Sequence, residues 1–233
     1  MLSDALPQGS SVIFACAAHA RFRIFIHREG RVADTIKAIV RKNEKEDRGC
    51  VKRIEIESKL NESRNWILAE YTKLSDEQLH RPLTESEHDP HNVWNALDHL
   101  GHLALVERNF VGMIRRHLSG HENPVGLLAD DEGAPRTREQ IMASVHAMTD
   151  RYQRDHHSDP FSKVVALTAD ARSESLKLLS ELWDEQLDQH LEGAPWADGT
   201  LGGVIGTNAE HARLHWKWVS EAGLLQDDGP SVE

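Results

Sequence analysis

Apolar residues recur every three or four positions through most of this chain, and no stretch alternates apolar with polar residues for long enough to build a useful strand. Side chains three and four apart share one face of a helix, so the pattern predicts an all-α fold. Ile56, Leu60, Ser63, Ile67 and Leu74 form a first stripe, flanked by Trp66 and Tyr71. Ser75-Asp76-Glu77 starts a short turn, and residues 82–90 read as a loop. A second helix is expected from about Asn92 to Leu118, with positions 93, 97, 100, 104, 111, 114 and 118 apolar and Glu107 in the remaining slot. Gly120 marks its end. After an irregular region at 121–135, Thr137 with Gln140 has the pattern of a capping box. It opens an extra helix carrying Ile141, Val145, Met148 and Tyr152, which the run from His156 to Pro160 ends. Thr168 is the expected cap of helix three, whose apolar face includes Leu176, Leu179, Leu182 and Trp183. The loop Gly193 to Gly199 leads into helix four, about Thr200 to Ala222. The expected architecture is four principal helices, with the extra one inserted between the second and third.

A short repeat is superimposed on this pattern. Leu74-Ser75-Asp76-Glu77-Gln78-Leu79 is echoed by Leu182-Trp183-Asp184-Glu185-Gln186-Leu187. Each copy ends a helix and precedes a polar loop and a histidine-bearing helix. His102 follows the last leucine of its copy by 23 residues, and His211 follows its own by 24. The domain therefore reads as two related helix-loop-helix halves.

Charge divides the chain differently. The formal net charge is -11, whereas residues 1–50 alone hold nine Lys/Arg against six Asp/Glu. The acidic balance argues against nucleic acid or an anionic membrane as partner, since each requires a basic face. No apolar run reaches the ~18 residues of a membrane helix. The best stretch, Ser11 to Ile26, is broken by His19, Arg21 and Arg23 and lacks the form of a secretory signal, so the expected location is the cytoplasm. All six tryptophans lie beyond residue 50, and both cysteines, Cys16 and Cys50, lie within the first fifty residues. Two cysteines 34 apart make neither a metal motif nor a disulfide framework. Residues 1–50, where Asp34 to Arg41 has the makings of a short helix, read as a basic extension or as sequence upstream of a true start near Val51. The domain proper is expected over 51–228, and removal of 1–50 is expected to leave its stability unchanged.

Histidine is the compositional anomaly, with fifteen in the chain. Two histidines at i and i+4 on one helix face can hold the same metal ion. His117 and His121 have that spacing but straddle Gly120 at a helix end, while His88 and His91 straddle Pro90 in a loop. His211 and His215 lie inside continuous helix, followed by Trp216 and Trp218. A third ligand must come from a facing helix, and helix two offers His99 and His102. The helical wheel prefers His99, beside the apolar stripe; the repeat prefers His102, which matches His211. Spacing alone leaves that choice open.

The run Trp94-Asn95-Ala96-Leu97-Asp98-His99-Leu100-Gly101-His102-Leu103-Ala104-Leu105-Val106-Glu107 resembles the second-helix signature of the DinB/YfiT-like four-helix-bundle superfamily. There a tryptophan precedes the metal histidine by eight positions and an acidic residue often follows by five, as Trp94 and Glu107 do for His102. His211-Ala212-Arg213-Leu214-His215 resembles the family's fourth-helix His-x-Arg-x-His pattern, and the Leu-Ser-Asp-Glu-Gln-Leu turn is typical of it. The resemblance covers about residues 53–225, with a connection over 120–163 longer than the family's usual one. It implies an up-down-down-up bundle, commonly a homodimer, in which His102, His211 and His215 hold a divalent transition metal ion such as nickel or zinc. It further implies a metal-dependent enzyme, either a low-molecular-weight thiol transferase with a thiol cosubstrate or a hydrolase acting on a small electrophile. The alternative is a catalytically silent bundle that binds metal or a small molecule in stress response. Three imidazoles with an open position suit a catalytic metal site. Glu107 is then a buried carboxylate behind the ligands, or a general base, or the partner of an arginine on another helix. Trp94 lines the pocket or packs the helices, and Arg213 serves the surface, a subunit contact or the substrate.

Overall fold

The computed structural model describes residues 52–224 apart from 87, 88, 90, 131 and 132. The expectations for residues 1–50, for Cys16 and Cys50 and for His88 lie outside the described residues. Helix α1 covers residues 52–71, followed by the one-turn helix α2 (Asp76–His80). Then come α3 (Ala96–Leu118), α4 (Arg138–His156), α5 (Phe161–Glu181), the one-turn α6 (Asp184–Leu187) and α7 (Leu201–Val219), which runs on as a π-helical turn, Ser220–Leu224. The chain is mostly helical, as its periodicity requires.

Several boundaries are written in the caps. Ser75 with Gln78, Asn95 with Asp98, and Thr137 with Gln140 each close a reciprocal capping box at the start of α2, α3 and α4. Helix α3 ends at Gly120, where φ is +78°. The amide of Gly120 donates to the His117 carbonyl, and that of His121 to Arg116, which satisfies carbonyls the helix leaves open.

Four expectations are corrected. The loop at 82–90 and the start of helix two contain two short strands, β1 (Thr84–Glu85) and β2 (Val93–Trp94), paired antiparallel with Thr84 opposite Trp94. Two residues per strand are too few to leave a readable alternation. Helix two accordingly starts at Ala96 rather than near Asn92. Thr168 does not cap helix three. The helix begins at Phe161 after Pro160, because a proline that stops one helix is well placed to precede the next. Thr168 lies within α5, its hydroxyl donating back to the Val165 carbonyl. Trp183 is 75% exposed and stands at the start of α6 instead of on the apolar face of α5.

Both copies of the six-residue repeat form a one-turn helix behind a long one. In each, the glutamine side chain accepts from the backbone amide three residues earlier, at 2.8 Å. The four flanking leucines, Leu74, Leu79, Leu182 and Leu187, are all buried. The parallel extends downstream, where the bridge between His190 and Thr200 precedes α7 as the β1–β2 pair precedes α3.

The core divides into two apolar clusters. One gathers Leu60, Phe110, Ile114, Leu178, Leu201 and Ile205, and the other Ile67, Tyr71, Leu97, Leu100, Val164 and Ala212. Between them along the helices lies a buried polar layer. There Ser63 donates to the Ala209 carbonyl at 2.8 Å, which explains a serine within an apolar stripe. Arg172 of α5 donates through Nε to Glu107 Oε1 of α3 at 2.6 Å, through Nη2 to Oε2 at 3.3 Å, and through Nη1 to the Leu60 carbonyl of α1. Both charged side chains are buried, so each requires the other.

Candidate metal centre

The three expected ligands are brought together. The ligand nitrogens of His102, His211 and His215 all lie within 4.8 Å of one another. His102 comes from the second turn of α3, which Asn95 and Asp98 anchor. His211 and His215 project from successive turns of α7. Their rings meet edge to face at 4.6 Å, with the two Nε2 atoms 3.0 Å apart. Ring centroids of His102 lie 5.4 Å from His211 and 4.8 Å from His215.

His99, the alternative ligand, stands behind this cluster. Its Nδ1 lies 2.9 Å from Nδ1 of His215, and its Nε2 lies 2.8 Å from the Thr84 hydroxyl on β1. This chain sets the tautomers. When His215 offers the Nε2 lone pair, its proton is on Nδ1 and points to His99 Nδ1. His99 then accepts there and carries its own proton on Nε2, facing Thr84. Partners of this kind fix the orientation of a ligating imidazole and raise its basicity.

Electrostatics keep the rings neutral, the form that ligates. Burial pushes the His102 imidazolium down to about 3, and the rings of His211 and His99 add to the effect. Burial alone pushes His99 and His211 to about 4. His215 is shifted well below the usual range by burial first, then by the neighbouring rings. The donor set therefore fits a borderline cation such as zinc or nickel. One further observation agrees: Nδ1 of His102 is buried with no hydrogen-bond partner in the protein.

The histidines open onto a pocket of ≈ 620 Å³. Trp94, Trp218, Thr84 and the α4 residues Val145 and Thr149 complete much of its wall. Trp94 thus lines the pocket, buried, with its rings 5.2 and 5.5 Å from those of His99 and His102. Helix α4 is held over the site by His157, whose Nδ1 lies 2.8 Å from Oδ2 of Asp98. Burial raises the Asp98 carboxyl above its ordinary range, against the bonds that stabilise its charge.

The remaining expected residues lie elsewhere. Glu107 is committed to Arg172 and is not a member of the histidine cluster. A cavity of ≈ 20 Å³, enough for one water, is lined by Glu107, Arg172, Asn208 and His211 and so runs up behind the site. Arg213 is exposed and stacks on Trp66, its guanidinium carbon 4.7 Å from the ring centre. His117 and His121 cap the end of α3. Thr84 and the α4 wall had no signal in the sequence, because only tertiary packing brings them to the histidines.

A family model described as the DinB superfamily matches residues 87–219, more than half of the chain. The matched span holds the whole of α3 to α7 and all three clustered histidines. No curated protein and no solved structure matches the chain. The helical architecture, the histidines on α3 and α7 and the family match agree, and the chain belongs to the DinB superfamily.

Proposed function

We propose that this protein is a metal-dependent enzyme of the superfamily, in which His102, His211 and His215 hold one divalent transition metal ion and the pocket beside them takes a small-molecule substrate. The reaction classes are transfer of a low-molecular-weight thiol and hydrolysis of a small electrophile. The observation that carries this reading is the opening of three neutral, mutually adjacent imidazoles onto a roomy pocket. A purely structural site would be closed by a fourth protein ligand.

A cation held there supplies Lewis-acid chemistry, acidifying a water or a thiol at its open position. The chain's own residues do the rest. His99 and Thr84 hold the His215 ring in its ligating tautomer. Trp94, Trp218 and Val145 exclude water from one side of the substrate. Glu107 holds Arg172 in place, which supports a scaffold role over proton transfer.

The up-down-down-up order belongs to the same proposal. The two core clusters occur in one order along α3 and α5 and in the reverse order along α1 and α7. The homodimer is likewise carried over from the family. Among the described residues no helix is long and apolar enough to cross a membrane.

Elemental analysis of protein purified without chelator tests the metal. The expected result is about one transition metal ion per chain, lost in His211→Ala. Metal-free protein, or an unchanged content in the variant, would remove the basis of the proposal. Metal binding without turnover on a panel of thiols and electrophiles would favour the silent alternative.

A further inference from the structure

The pocket wall beyond the histidines has a chemical character of its own. Glu85, Asp150 and Glu221 line it, and among the described residues no lysine or arginine does. Glu85 and Glu221 are exposed and Asp150 is partly so, which puts negative charge on the solvent side of the pocket. Asp150 is held in place on α4: Ser86 and Asn92 both donate to its Oδ1, at 3.3 and 3.0 Å. Both bonds leave Oδ2 without one. Glu221 is partly offset by Lys217, 3.8 Å away and equally exposed.

The inner end differs. Trp94 is only 8% exposed, lines the pocket, and has its indole N–H buried without an acceptor in the protein. A buried donor left unpaired costs free energy that a ligand acceptor recovers. The aromatic faces of Trp94 and Trp218, together with Val145, offer an apolar wall between the two ends.

We propose that the pocket selects a small, largely apolar molecule bearing a positively charged amine, with the amine at the acidic mouth and an acceptor atom near Trp94 and the histidines. The idea rests on the metal-site reading only for the end that meets the histidines; the acidic mouth and the Trp94 donor do not depend on a metal. Anionic substrates of the same shape are disfavoured, because their charge meets the carboxylates in a partly desolvated space.

The test is a matched pair of thiols, 4-(aminomethyl)benzenethiol and 4-mercaptobenzoate, titrated by calorimetry into the full chain. One preparation is cobalt-loaded and the other metal-free. Since both compounds present the same thiol, metal affinity cancels and the para group reads the mouth. The amine should bind at least about tenfold more tightly in both preparations, with the gap shrinking at high salt. In the double variant Glu85→Gln/Asp150→Asn the preference should fall to about threefold or less. The asparagine keeps the Oδ1 that Ser86 and Asn92 use, and Glu85→Gln alone, at an exposed site, serves if the double variant does not fold. Equal or tighter binding of the carboxylate overturns the proposal, as does a preference the variants leave unchanged. Failure to take up cobalt counts against the metal reading alone, because the metal-free titration still reads the amine preference.

Discussion

His99 and His102 lie three residues apart on α3 and take different places at the proposed site: the His102 ring faces those of His211 and His215, whereas His99 lies against Nδ1 of His215. Replacing His99 by alanine leaves Nδ1 of His215 without its partner while sparing all three rings proposed to hold the metal. We expect His99→Ala to weaken metal binding by about 10- to 100-fold. His99→Gln, whose carbonyl can accept from Nδ1, should recover part of that loss. Competition with a chromophoric chelator measures both, and an affinity unchanged in His99→Ala would show that the contact does not orient the ligand. The helical wheel placed His99 correctly beside the apolar stripe, and it is buried. Burial is not ligation, however. His102 points away from that stripe, and its face is enclosed by β2 and the inserted α4, whose positions no local pattern contained. The family resemblance and the internal repeat favoured His102, which periodicity left open, and His102 is the one that clusters with His211 and His215.

Among the elements, α1, α3 and α5 meet at one buried ion pair, and the cost of breaking it is uneven. Glu107→Ala leaves the Arg172 guanidinium buried without its counter-charge and should destabilise the fold by about 3–5 kcal/mol. Glu107→Leu combined with Arg172→Met removes both charges, and should recover most of that loss in urea unfolding. The folded double variant should still bind metal; loss of binding with an intact fold would assign Glu107 to the site after all. Gly120 gives a cleaner case. It adopts a φ of +78° and an added Cβ would meet nothing within 4 Å, so only the backbone opposes a side chain. Gly120→Ala should therefore cost about 1–2 kcal/mol, and an effect near zero in urea unfolding would contradict the left-handed turn. This stop, like the capping box at Thr137, was legible because its chemistry is local. Thr168 misled for the opposite reason. Threonine suits a cap, but Pro160 starts α5 earlier and the hydroxyl bonds within the helix.

Across the whole molecule, the two halves defined by the repeat bring histidines from α3 and α7 into one largely enclosed cluster, and this arrangement sets how stability responds to acid. The halves were legible because a one-turn helix with its glutamine cap has a local signature; the shared site was not, since it depends on how α3 and α7 pack. In the metal-free protein the folded-state values are about 3 for His102 and about 4 for His99 and His211, and well below normal for His215. An unfolded histidine titrates near 6.5. Below that pH the unfolded chain binds protons that the folded chain refuses, so stability must fall as pH drops from about 6.5 toward 4. Each histidine contributes a slope of at most about 1.4 kcal/mol per pH unit. Asp98 opposes this, because burial raises its folded carboxyl above the unfolded value and the folded state there holds a proton that the unfolded chain releases. One group set against four leaves the sign unchanged. Metal-loaded protein should unfold at a higher temperature than metal-free protein at neutral pH, since only the folded state assembles the site. That gap should close on acidification as protons displace the ion from the imidazoles. Urea unfolding of the metal-free protein and thermal melts of both forms between pH 7.5 and pH 4.5 check the two trends. A metal-free stability that is flat from pH 7 to pH 5 would mean that the four rings are not held neutral together in the folded protein.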